Sequence, residues 1–171
     1  MTQMTSAMAA KELKKLNDKH DALISREKKS RVFTAAIQEN IEDARPAYDF
    51  EETQNELRRI EESVRKIKHS INSFNLTQKV PGFDMTIDQM LVYIPQLTAR
   101  KRKLSYMCDR LPKERCDNGG ISRSSSIVEY EYSNYDIEQA EAEYSQVADE
   151  LAKAQNALDN VNSTVEFEVE I

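Results

Sequence analysis

Between Asp49 and Asn75 the residues Phe50, Thr53, Leu57, Ile60, Val64, Ile67, Ile71 and Phe74 recur at steps of three and four, with polar side chains between them. That rhythm puts one apolar stripe along a helix, and its mean period of about 3.5 keeps the stripe facing a neighbour over the whole length. Asp49 with Glu52 supplies a D-x-x-E start, in which the first side chain accepts an orphan amide of the opening turn. The rhythm returns in Ile87, Met90, Ile94, Leu97, Lys101, Leu104, Cys108 and Leu111, after a T-x-x-Q cap at Thr86 and Gln89. Pro95 falls inside this second stripe and predicts a kink, because its ring crowds the carbonyl of Leu91 and it has no amide to donate. A third stripe, Ile137, Ala140, Tyr144, Val147, Leu151, Ala154, Leu158 and Val161, starts from Asp136 with Gln139, and its alanines let another backbone approach closely. A weaker stripe, Leu13, Leu16, His20 and Leu23, makes the N-terminal segment a less buried helix. The predicted helices are about 6–30, 50–75, 86–110 and 136–161.

Three segments alternate or are rich in β-branched and aromatic residues, and predict short strands at about 31–37, 126–133 and 164–171. In "STVEFEVEI", Val165, Phe167, Val169 and Ile171 form one apolar edge and Glu166, Glu168 and Glu170 the other. The last helix would be ~39 Å long and separates the two alternating strands. Folded back along it at ~23 to 26 Å each, they would overlap by only a few residues. Their full partners are expected at 31–37 or on another subunit, which makes Val165, Phe167, Val169 and Ile171 candidate oligomer contacts. Pro81-Gly82 fits the centre of a type II turn. "PKERCDNGGISRSS" predicts a mobile loop at about 112–125.

Composition sharpens the architecture. At 171 residues the chain has the length of one domain, and 32% charged against 39% apolar residues, with no Trp, three Gly and four Pro, suits long solvated helices more than a thick globule. The expected fold is mainly α (α+β): a single elongated bundle of about four long helices with a small sheet of short strands. Thin helices of this kind need partners. A net charge of -6 disfavours nucleic acid and anionic membranes. No apolar stretch has the length of a signal peptide or a membrane span, so the expected location is the cytoplasm, where Cys108 and Cys116 remain thiols.

Candidate chemistry is sparse. Cys108, Cys116, His20 and His69 are too scattered for a metal site, and His20 on its stripe reads as a packed, hydrogen-bonded residue. Ser124, Ser125 and Ser126 lack a nearby histidine. No phosphate-binding glycine loop occurs. The expectation is a protein that is not an enzyme and carries no cofactor. The one dense basic cluster, Arg100, Lys101, Arg102 and Lys103, points all round its helix and reads first as a solvated turn. A sharper reading brings Arg100 together with Asn72, Asn75, Arg123 and Tyr130 into a polar pocket for an anionic small molecule, with guanidinium forks for phosphate and a ring for stacking.

The stretches "INSFN" at 71–75 followed by the helix from Thr86, "YDIEQ" at 135–139, "LDNVNSTVEFEVEI" at the end and "RPAYDFEET" at 45–53 resemble the septicolysin family of small bacterial proteins, from about Phe33 to the C-terminus. The resemblance implies an elongated, mainly helical protein that self-associates and lacks an agreed activity. Its name suggests a cytolysin, but no long alternating segment suited to a membrane hairpin is present here, and the best strands carry Glu at every second position. The leading functional expectation is therefore a non-enzymatic homo-oligomer that binds or scaffolds. The alternative is a protein that sequesters an anionic ligand, such as a signalling nucleotide, where subunits meet.

Overall fold

The computed structural model of the chain describes residues 1–115 and 129–170. The fold is mainly helical with two small two-stranded sheets: β1 (Thr2–Thr5), α1 (Ser6–Ser30), α2 (Ile41–Ala44), α3 (Phe50–Thr77), α4 (Ile87–Cys108), β2 (Lys113–Arg115), β3 (Tyr130–Tyr132), α5 (Ile137–Thr164) and β4 (Glu166–Val169). The four long helices start where their capping residues lie. Thr5 accepts from the amide of Met8 at 3.3 Å, and Asp49 from that of Glu52 at 2.8 Å. Thr86 and Gln89 form a reciprocal capping box, and Asp136 accepts from Glu138 at 2.9 Å. Each satisfies an amide that a helix start leaves without an intrahelical partner.

The chain divides into two compact units, Met1–Gln78 with Asp159–Ile171, and Lys79–Leu158. In the first, α1 and α3 run antiparallel. Lys19 pairs with Glu56 at 2.7 Å, while eight residues further along α1 Glu27 accepts from Gln54 at 2.8 Å and from Tyr48, just before α3, at 2.7 Å. β1 and β4 pair antiparallel, with Thr2 opposite Val169 and Met4 opposite Phe167. Met4 and Val169 thereby join Ala9 and Ile67 in the core of this unit, flanked by Leu13, Leu16, Ile71 and Phe167. The Phe167 ring stacks on Phe74 with centroids 4.3 Å apart.

In the second unit α4 and the greater part of α5 are also antiparallel. Tyr93 bonds Glu150, Arg100 bonds Glu143, Lys101 lies 5.8 Å from the Tyr144 ring centroid, and the Tyr135 hydroxyl donates to the Met107 carbonyl at 2.8 Å. Met90, Leu97 and Leu104 on α4, and Ala140, Val147 and Ala154 on α5, are buried at steps of seven. That is the repeat of a helix pair whose seam stays on the contact line. Pro95 lies inside α4, which continues through it to Cys108. The turn before α4 is type II: the Phe83 amide donates to Val80 at 3.1 Å, and Gly82 takes φ 83 at its third position.

Two expectations are corrected. Residues 31–37 form no strand; the segment is irregular, with Val32 and Ile37 exposed. Its β-branched residues do not alternate and meet no free strand edge, and β propensity takes effect only against a partner. The expected loop at 112–125 begins instead with β2, which pairs antiparallel with β3; its residues 116–125 lie outside the described residues, as do 126–128 of the strand expected at 126–133 and Ile171 of the one at 164–171.

Candidate functional site

Of the five residues expected to line a ligand pocket, four are among the described residues. Asn72 and Asn75 lie near the C-terminal end of α3, in the first unit, exposed and half-buried respectively. Arg100, in the second, is engaged by Glu143, so its guanidinium fork serves the α4–α5 pair. Tyr130 lies on β3, where the Lys113 ammonium sits 4.0 Å from its ring centroid and 5.4 Å from that of Tyr132. Arg123 lies outside the described residues. The expected oligomer contacts also have intrachain positions: Val169 is 0% exposed and Val165 and Phe167 are half-buried. The apolar edge of the last strand thus packs on the chain's own α3 and β1.

Around β4 the polar contacts have a holding function. Lys66 bridges Glu62 at 3.3 Å and Glu170 at 3.2 Å, and those carboxylates, Glu170 first, raise its pKa. The Glu170 amide donates to Ser70 at 3.3 Å. In the β2–β3 ladder Glu114 stands directly opposite Glu131, a repulsive placement. Arg110 relieves it by pairing with both carboxylates, which raises its own pKa.

Two open concavities among the described residues offer little to an anion. A cleft of 740 Å³ beside α1 and α3 is lined by Asp49, Glu51, Glu52 and Glu56 against Lys19 and Arg59, so its charge is unfavourable for phosphate. A hollow of 590 Å³ in the second unit is lined by Arg110, Tyr135 and Asp136, each already bonded as described. Nucleophilic chemistry is also disfavoured at Cys108, whose pKa is raised by burial and then by Glu141 and Asp109; the thiol, not the reactive thiolate, is held there. Among the described residues no three His, Cys, Asp or Glu side chains group as metal ligands, and no helix is long and apolar enough to cross a membrane.

A different surface stands out on α4. Leu91, Val92 and Tyr106 are 50%, 59% and 68% exposed, and Pro95 and Ala99 beside them are exposed too. At about 100° per residue these five fall within about 100° of arc, turned roughly 160° from the mean direction of the buried Ile87, Met90, Leu97 and Leu104. α4 is thus apolar on two sides. The pointer was present in the unbroken run Met90–Ile94, which is too continuous for a one-sided helix. The seam positions account only for Met90 and Ile94 of that run.

No family model matches the chain, and no curated protein does. Among solved structures it is similar to a functionally unknown conserved protein from Corynebacterium diphtheriae, with a TM-score of 0.59 and 16% identity over 98% of this chain and 100% of the other. That likeness is one of fold.

Proposed function

We propose that this chain is a non-enzymatic, helical homo-oligomer of the cytoplasm with a binding or scaffolding role. The observation that carries the reading is the outward apolar side of α4: a helix whose inner face is already buried keeps Leu91, Val92 and Tyr106 in water. Helices apolar on opposite sides are ordinarily covered on both, and an uncovered apolar surface marks an interaction site. Light scattering over a concentration series tests it. Mass above that of one chain is expected, and a monomer at every concentration refutes the reading.

A second reading, sequestration of an anionic small molecule such as a nucleotide, draws on the β2–β3 hairpin. There Lys113 is held against the exposed rings of Tyr130 and Tyr132, a cation beside stacking surfaces suited to a phosphate and a base. A ligand would raise the melting temperature with its concentration by mass action, and Tyr130→Ala should remove that shift. No shift across a panel of nucleotides and phosphorylated metabolites rejects this reading.

A further inference from the structure

The outer ridge of α4 has an internal symmetry that specifies how it is covered. Counting from Pro95, Leu91 and Ala99 lie four residues to either side, and Asp88 and Arg102 seven to either side. Steps of four and seven keep all five on one helix face. The large apolar residue is therefore mirrored by a small one, and the acid by a base. Both ends are exposed, and among the described residues neither Asp88 nor Arg102 has an ion-pair partner, whereas Arg100, two residues away on the same helix, is paired with Glu143.

From this self-complementarity, and resting on the self-association reading above, we infer that a second copy of the chain docks α4 against α4 antiparallel, about a two-fold axis at Pro95. In that register Leu91 of each copy lies over the partner's Ala99, and Asp88 of each faces the partner's Arg102. An isologous interface requires this relation, residue i on j and j on i. A parallel arrangement would set Asp88 against Asp88 and Arg102 against Arg102. The small Ala99 and the short Pro95 ring allow the two helix axes to approach closely.

The test uses the full chain, with multi-angle light scattering over a concentration series in low salt and thermal melting as a check of folding. Ala99→Glu should weaken association at least tenfold while the monomer still melts cooperatively, because it sets a carboxylate against the partner's Leu91 on a face exposed in the monomer. Asp88→Arg and Arg102→Asp should each weaken association, and the double variant carrying both should restore it, since the swapped charges again face their opposites. Singles that weaken association without rescue in the double variant overturn the antiparallel register. Association unchanged by all four variants overturns this interface and leaves self-association standing through another surface. A monomeric parent chain removes both proposals together.

Discussion

Phe167 shows how much one side chain settles here. Its ring is half-buried and stacked on Phe74, and its neighbour two positions on, Val169, is fully buried. Phe167→Asp removes the stack and puts an unpaired carboxylate in its place, at an expected cost of about 3 kcal/mol in the stability of the first unit. Glu168→Lys, exposed on the opposite side of the same strand, should change stability by no more than ~0.5 kcal/mol. Chemical denaturation of both variants checks the contrast; equal effects would mean that the strand has no inner face. Gly82 makes the complementary point about backbone. A Cβ added there meets nothing within 4 Å, but φ is 83, so Gly82→Ala should cost roughly 1 to 2 kcal/mol from the left-handed conformation alone.

At the scale of elements, β1 and β4 explain each other. Four residues at the start of the chain cover the edge of four residues near its end, and neither strand is long enough to persist without the other and the helices beneath. Deleting Met1–Thr5 removes that cover together with the Thr5 cap of α1 and the buried Met4. Amide exchange at Glu166–Val169 should then rise to near the unprotected rate, and the bared edge should promote aggregation. Protection on the inner face of α4, at Leu97 and Leu104, should persist, because those residues belong to the other unit. Simultaneous loss in both units would show that they unfold as one.

For the molecule as a whole, contacts between α1 and the α3 region contribute pH-dependent stability on both sides of neutrality. Lys19 lowers the pKa of Glu56 from its ordinary 4.5, so the contribution of that pair is complete above about that value and is lost as pH falls through the depressed folded value. The hydrogen bond to Glu27 raises the pKa of Tyr48 from 10.0. That contribution is complete below 10.0 and is lost as pH rises through the raised folded value. Melting temperature against pH should therefore show a plateau. Glu56→Gln should flatten its acid side and Tyr48→Phe its alkaline side, both modestly because the groups are exposed and screened by solvent. If each variant falls off as the parent does, these pairs contribute nothing to the pH dependence.

The long helices were readable directly from residue order, because a stripe at steps of three and four and a capping side chain three residues before its match are local signals. Asp49, Thr86 and Asp136 mark real starts, Ile60, Ile67 and Phe74 are the buried residues their spacing predicts, and Pro81-Gly82 turns as its dipeptide requires. β1 gave no such signal. "TQMT" has one apolar residue and no room for a period, and it becomes a strand because folding brings it beside residues 166–169, more than 160 positions away. Residues 31–37, with stronger β propensity, remain irregular because the fold pairs them with no strand. The candidate site divides along the same line. Arg100 is a cation by sequence, but its commitment to Glu143 depends on how α5 folds back along α4. Likewise the composition of "MLVYIPQL" says that α4 is unusually apolar, while only the packing of α5 determines which of its sides is left facing water. Periodicity is a property of neighbours in the chain, whereas pairing and exposure are properties of neighbours in space.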